Sequence, residues 1–237
     1  MTGAGKRLGR AIALGLAEAG CDVAVHSFRS KEDAEETATR VRALGRRAVV
    51  VAADQTSGDE VQRAVDHAVR GLGRVDHLVV SAAAFERAPF SEMTRDKWDR
   101  MIAANLTGPF EWVRAALPHL QQSDAASIIV MLDVAAFHAW RGFAHYCAAK
   151  AGLEMLVRVL ALELAPTIRV NGIAPGTVLP PEDLAQTEAE SIRRQIPLER
   201  FGSPDDVTRA ALYLANAPFV TGTTLFVDGG RSAVARL

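Results

Sequence analysis

Tyr146 and Lys150 lie four residues apart in the run Tyr146-Cys147-Ala148-Ala149-Lys150, a spacing that puts a phenol and an ammonium on one face of a helix. A cation beside a phenol favours the phenolate and brings the tyrosine down from its ordinary pKa of about 10 toward the range where it exchanges protons near neutrality. An ordinary packing pair has the same spacing, so its meaning depends on what surrounds it. At the amino terminus, Thr2-Gly3-Ala4-Gly5-Lys6-Arg7-Leu8-Gly9 runs straight into a helical pattern. Glycines there let the backbone approach a pyrophosphate, and the first turn of a helix offers unpaired N–H groups and the positive end of its dipole. A plain loop-to-helix junction is the other reading. His26-Ser27-Phe28-Arg29-Ser30 ends the next apolar segment. An NAD site carries an acidic residue there for the ribose 2′-OH. Arg29 and Ser30, with Arg7 nearby, offer instead a guanidinium and a hydroxyl suited to a 2′-phosphate, which points to NADPH.

These groups need a scaffold. The run from Lys6 to Ala19 spaces Leu8, Ile12, Leu14 and Leu16 among alanines and stops at Gly20, the pattern of a helix closed by glycine. Val23 to Val25 is short and β-rich, Lys31 to Leu44 has helical spacing, and Ala48 to Ala52 is a continuous apolar strand. The alternation continues with a helix from Asp59 to Leu72, a strand from Val75 to Val80 and one long helix from Arg95 to Leu120. After these come a strand from Ile128 to Leu132, a helix from Ala144 to Leu164, a strand from Ile168 to Ile173, a helix from Pro204 to Ala215 and a strand from Thr224 to Val227.

Apolar strands alternating with amphipathic helices predict an α/β fold, a single doubly wound domain over residues 1–237 with a parallel sheet covered on both faces. Residues 175–190, with Pro180-Pro181, form the one long irregular or weakly helical stretch and the candidate substrate loop. Such folds deliver their glycine turn from the carboxyl end of a first strand, yet here the turn begins at Gly3. The first strand is apparently absent from the numbered chain, and the expectation is a start upstream of Met1 or a shortened form. Loss of a strand buried on both faces should cost several kcal/mol, against a domain stability of about 5–15 kcal/mol.

Composition narrows the function classes. The chain has 237 residues, 49% of them hydrophobic and 23% charged, with a net charge of -1. That balance, without a dense Lys/Arg block, lacks the electrostatic footprint of a nucleic-acid or anionic-membrane binder. Cys21 and Cys147 are far apart, with no Cys/His cluster at zinc spacing, so neither a metal nor a disulfide framework is expected. No apolar run reaches the length of a membrane span, and no basic-then-apolar signal segment opens the chain. The expectation is a cytoplasmic protein acting on small molecules.

Taken in order, the glycine turn, Asn105-Leu106-Thr107-Gly108-Pro109-Phe110, Tyr146 with Lys150, Arg169-Val170-Asn171-Gly172-Ile173-Ala174-Pro175-Gly176, and Val227-Asp228-Gly229-Gly230 resemble the short-chain dehydrogenase/reductase family across nearly the whole chain. The resemblance implies a Rossmann fold, a nicotinamide cofactor and Tyr146 as general acid, with Lys150 holding the ribose and tuning Tyr146. It also implies that Asn105 organises a proton-relay water and that Asp54 touches adenine. The implied cofactor contacts are Gly3, Lys6, Arg7, Leu8, Gly9, His26, Arg29, Ser30, Asp54, Ser81, Ala82, Lys150, Pro175 and Gly176. A homotetramer, built through the Tyr146 helix and the long helix before it, is implied as well.

Within that family the details look like a pteridine reductase. The segments at residues 2–9 and 26–30 match, as does Phe85 after the fourth strand. Counting back thirteen residues from Tyr146 reaches Asp133, where most members carry a catalytic serine and pteridine reductases carry Asp. In a ketoreductase an ionised carboxylate there would repel the oxygen that gains charge during reduction. Reducing a ring C=N needs a proton at nitrogen, which an Asp133–Tyr146 pair can relay while Phe85 stacks on the heterocycle. The leading expectation is therefore NADPH-dependent reduction of a pterin-like ring of the dihydropterin or dihydrofolate class, with Phe85, Asp133 and Tyr146 holding the substrate. The alternatives are a ketoreductase of 3-oxoacyl or other carbonyl substrates and a non-catalytic NADPH-binding member. Departures temper the match. Ser81-Ala82-Ala83-Ala84 stands where most members have Asn-Asn-Ala-Gly and pteridine reductases Asn-Ala-Ser-Ser, and Thr177-Val178 replaces a serine-bearing segment. His138, Trp140 and His145 read as loop residues that line or border the site, with packing at the surface as the other reading.

Overall fold

The computed structural model describes residues 1–180 and 185–233. Among them the chain order is α1 (Arg7–Glu18), β1 (Val23–Ser27), α2 (Lys31–Ala43), β2 (Ala48–Ala52), α3 (Gly58–Leu72), β3 (His77–Val80) and α4 (Arg95–Ile102). Then follow α5 (Gly108–Leu120), β4 (Ser127–Met131), α6 (Ala144–Glu163), β5 (Arg169–Pro175), α7 (Gln186–Arg194), α8 (Pro204–Asn216) and β6 (Thr224–Val227). All strand pairs are parallel. Strands β1, β3, β4 and β5 are largely buried because both faces are covered: α3, α5 and α6 supply one core, while α1, α2 and α8 supply the other. This is the doubly wound α/β architecture that the alternation predicts.

Three features depart from the sequence reading. The predicted long helix is broken by a π-helical turn at Ala103–Thr107. Pro109 has no N–H to donate, and the carbonyl of Ala104 accepts from Gln55 Nε2 at 2.6 Å. The second departure is α7, which falls partly in the predicted loop. It has no apolar stripe; Glu188 in its first turn and Arg193 and Arg194 in its last complement the helix dipole. Residues 181–184 of the predicted substrate loop lie outside the described residues.

The third departure concerns the sheet, which exists as two ladders, β1–β2 and β3–β4–β5–β6, that do not pair with one another. Among the described residues, the backbone hydrogen bonds between the two ladders run through the first residues of the chain. The Met1 amino group donates to Ala24 O at 3.0 Å, His26 N donates to Met1 O, Thr2 N donates to Val79 O, and Ala4 N donates to His26 O. The sheet thus has a gap between β1 and β3.

Candidate active site

Asp133 leaves the carboxyl end of β4 and caps a short 3₁₀ turn, its Oδ1 accepting from Ala135 N at 2.8 Å. Tyr146 and Lys150 sit on the first turns of α6 and point back toward that strand end. The Tyr146 hydroxyl donates to Asp133 Oδ2 at 3.0 Å. Lys150 Nζ donates to Met131 O at 2.9 Å and lies 5.8 Å from the Tyr146 ring centroid. Tyr146 is 5% exposed and Lys150 3%, so their charges meet little water. Burial lowers Lys150 to about 8, while Asp133 pulls it the other way. Asp133 is held above the usual carboxylate range, again chiefly by burial.

The electrostatics differ from the expectation at Tyr146. Its proton affinity is raised rather than lowered, by burial first and then by the Asp133 charge. Geometry adds to burial: the ammonium of Lys150 is turned to a backbone carbonyl, and the group bonded to the phenol is a carboxyl. Tyr146 therefore holds its proton in the free site and is set up as a donor.

Beside these residues a cleft of about 830 Å³ opens at the carboxyl ends of β1, β2 and β3. Gly3 adopts φ +62, and a Cβ there would lie 3.0 Å from the Ala82 backbone; a Cβ on Gly9 would lie 2.0 Å from Gly3 O. Both glycines let the turn close on the end of β3, where Thr2 Oγ1 accepts from Ser81 N and Ala82 N at 2.8 and 2.9 Å. Helix α1 starts with no side-chain cap, leaving its first amides free for an anion. Lys6, Arg29, Ser30, Asp54 and Ala82 line the cleft. Lys6 pairs with Asp33 at 2.8 Å, and Arg29, stacked on Phe28 at 4.8 Å, joins none of the described ion pairs. Asp54 Oδ1 accepts from Thr56 N and Oγ1, which leaves its second oxygen for a ligand.

Several expected contacts lie elsewhere. Arg7, at φ +48, sends its guanidinium to Leu179 O at 2.6 Å, so it braces the segment after β5 rather than the cleft at Arg29. Leu8 packs into the core under α8. His26 lines the cleft but is committed to the scaffold. Its Nδ1 accepts from Gly3 N at 3.2 Å and its Nε2 donates to Ala53 O at 3.0 Å, and burial lowers it to about 4, so it is a neutral clamp on the glycine turn. The Asn105 side chain bonds to Ala84 and Met101 and so supports the π-helical turn. Pro175 and Gly176 end β5, with Gly176 N donating to Val227 O at 3.0 Å. Ser81 contributes its backbone N–H.

An aromatic wall stands over Tyr146. Phe85, 61% exposed, stacks on Phe143 at 4.8 Å and meets Tyr146 edge-on at 4.9 Å, with Trp140 a further 6.5 Å neighbour of Tyr146. One face of Phe85 is thus taken by Phe143 before any substrate arrives. His145 is buried, its Nδ1 accepting from Tyr146 N, and His138 likewise borders this region with a buried Nε2. Sequence reasoning missed Gln55 and Thr2. Gln55 lines the cleft and has a buried Oε1 without a partner, and nothing in its local sequence marks it. Thr2 belongs to the glycine turn, and its hydroxyl clamps that turn to the end of β3, a partner that its local sequence does not reveal.

The uncapped helix start, the Gly3 approach and the cationic edge at Arg29 together fit a dinucleotide whose reactive ring reaches Tyr146. Comparison with known proteins agrees. The family described as enoyl-(acyl carrier protein) reductase matches residues 3–232. The 3beta-hydroxysteroid dehydrogenase 1 of Eggerthella lenta is 39% identical over 97% of this chain and 91% of its own length. A 3-oxoacyl-(acyl-carrier-protein) reductase FabG of Staphylococcus epidermidis is 34% identical over 97% of this chain and 96% of its own. A 7 alpha-hydroxysteroid dehydrogenase, solved with NADH and 7-oxo glycochenodeoxycholic acid, superposes with a TM-score of 0.92 at 31% identity, covering 97% of this chain and 91% of that one. None of these relatives is named as a pteridine reductase, so the subfamily expectation finds no support among them. The chain belongs to the short-chain dehydrogenase/reductase family of NAD(P)-dependent oxidoreductases.

Proposed function

We propose that the protein is an NADPH-dependent ketoreductase, taking a 3-oxoacyl or ring ketone to the secondary alcohol. The observation that carries this reading is the 3.0 Å hydrogen bond between Tyr146 and Asp133, in a site where burial favours the protonated form of both groups. A nicotinamide cofactor, when bound, would supply a hydride for the carbonyl carbon. Tyr146 gives its proton to the carbonyl oxygen, and Lys150, buried behind the ring, steadies the phenolate left behind. Burial, which raises the Asp133 carboxyl, lessens the electrostatic objection to an acidic residue here, because in its protonated form the acid donates a hydrogen bond to a developing oxyanion as a hydroxyl does. Relatives named for ketone and hydroxyl chemistry support the substrate class. The cationic Arg29 and the hydroxyl of Ser30 at the cleft edge support the 2′-phosphate form of the cofactor. Exposed Phe110, Met155, Val159 and Leu162 on α5 and α6 support self-association through those helices.

The same Asp133 favours a second reading, reduction of a pterin-like ring, because a carboxylate that accepts from Tyr146 can also accept from a heterocycle's N–H edge. The deciding experiment measures NADPH consumption by the purified chain with an acetoacetyl thioester, a bicyclic ketone, a 3-ketosteroid and dihydrobiopterin. Turnover of any ketone well above that of dihydrobiopterin upholds the ketoreductase. Turnover of dihydrobiopterin alone replaces it with the second reading, and tight NADPH binding without any turnover rejects both.

A further inference from the structure

His145 stands immediately before Tyr146 at the start of α6, and the proposed proton transfer does not use it. Its ring is fully enclosed, at 0% exposure. The first turn of a helix leaves its amides without partners inside the helix, and a side-chain oxygen at the N-cap ordinarily accepts from the third helical residue. In α6 the N-cap is Phe143, which carries no acceptor and whose ring belongs to the aromatic wall with Phe85 and Trp140. With Ala144 as the first helical residue, the third is Tyr146. Its amide donates to Nδ1 of His145 at 2.9 Å, and the next amide, Cys147 N, donates to Phe143 O at 2.8 Å and opens the regular ladder. A bond accepted at Nδ1 puts the proton of the neutral ring on Nε2. That nitrogen is buried and has no partner among the described residues. Burial lowers the His145 pKa, opposed by the Glu86 carboxylate after β3 and reinforced by Lys97 on α4, so Nδ1 keeps its lone pair. An unpaired buried donor is unfavourable, and a leucine or phenylalanine would fill the same space without one. What histidine adds at this position is the acceptor.

We propose that His145 is a positioning residue for the reaction, its Nδ1 holding the Tyr146 amide so that the first turn of α6 keeps the phenol on Asp133 Oδ2 at 3.0 Å. The proposal rests on Tyr146 as the proton donor, and it holds for a ketone and for a pterin-like ring alike. Tyr146 carries both bonds, one through its backbone and one through its hydroxyl, so a first turn that frays at the amide moves the phenol with it. A displacement of about 1 Å at a reacting group costs about 10²-fold in rate. His145 does not line the cofactor cleft, so the effect falls on proton transfer and spares cofactor binding.

Three variants separate positioning from packing. In His145→Asn the side-chain Oδ1 stands where Nδ1 stood and accepts from the same amide, whereas His145→Leu and His145→Phe fill the space without an acceptor. Each is compared with the unmodified protein by kcat and KM for the ketone, by NADPH affinity, and by hydrogen exchange at the Tyr146 amide. In the Leu and Phe variants kcat is expected to fall by about tenfold or more, with KM and NADPH affinity kept within about threefold and exchange at the Tyr146 amide faster by about tenfold or more. The Asn variant is expected to stay within about threefold of the unmodified protein on every measure. The opposite order, with Leu or Phe equal to the unmodified protein and Asn impaired, makes His145 a packing residue and overturns the proposal, as does an equal loss in all three. Exchange at the Tyr146 amide is read without substrate. An unmodified protein that turns over no ketone therefore rejects the ketoreductase, while the positioning role still stands or falls on whether the Leu and Phe variants alone speed that exchange. Where a variant without an acceptor does not fold, the Asn variant decides: retained amide protection upholds the role of the acceptor, and its loss rejects it.

Discussion

At Asp133 a carboxyl is buried beside a phenol, and the consequences can be measured one side chain at a time. Its raised pKa means that the folded state binds the proton more tightly than the unfolded chain does, so stability falls as pH rises through that titration and the cost of the buried carboxylate is full above it. Asp133→Asn is expected to raise the melting temperature at pH 8, with the gain shrinking toward pH 4, read by thermal denaturation across that range. Tyr146→Phe removes the donated proton and should lower kcat by about 10²–10⁴-fold while leaving cofactor affinity nearly unchanged. At the cofactor edge, Arg29→Asp should lower kcat/KM for NADPH at least tenfold relative to NADH, measured with both cofactors. Much at this scale was legible in sequence, because the Tyr146–Lys150 spacing and the offset to Asp133 are local facts that a helix and a strand end convert directly into proximity. The direction of the Tyr146 shift was not legible, because it depends on where Lys150 Nζ points and on burial. The clamping role of His26 escaped for a similar reason: both its partners, Gly3 and Ala53, come from other elements.

At the scale of elements, the cofactor cleft depends on how closely the glycine turn folds under α1. Gly9→Ala places a methyl 2.0 Å from Gly3 O, backbone against backbone, so the turn must open. The expected outcome is a loss of stability of about 1–3 kcal/mol and at least a tenfold weaker NADPH affinity, measured by denaturant titration and by cofactor fluorescence. The π-helical turn before α5 shows the limit of periodicity. Arg95 to Leu120 reads as one helix because its apolar residues keep helical spacing, and a single inserted residue per turn at Ala103–Thr107 barely disturbs that pattern. Helix α7 was hidden for the opposite reason, since charged and polar residues circle it and Ile192 is its one large apolar side chain.

For the whole molecule, the order of strands and helices was legible because each strand is a run of apolar residues between amphipathic segments, and a parallel sheet leaves few ways to connect them. The break into two ladders and its bridging by Met1 and Thr2 rest on tertiary hydrogen bonds that no local pattern encodes. The proposed association through α5 and α6 predicts that Leu162→Asp, at a side chain 82% exposed, gives a smaller species by light scattering without loss of helical signal. What the assembled site does is tested most directly by the pH profile of ketone turnover at saturating NADPH for the unmodified protein and for Asp133→Ser. A neutral carboxyl acting as donor predicts that the unmodified protein loses ketone turnover as pH rises through the Asp133 titration, while Asp133→Ser keeps turnover within about tenfold and shows no such fall. Ketone turnover that rises over the same interval in the unmodified protein, or is absent while dihydrobiopterin is reduced, would contradict the assignment.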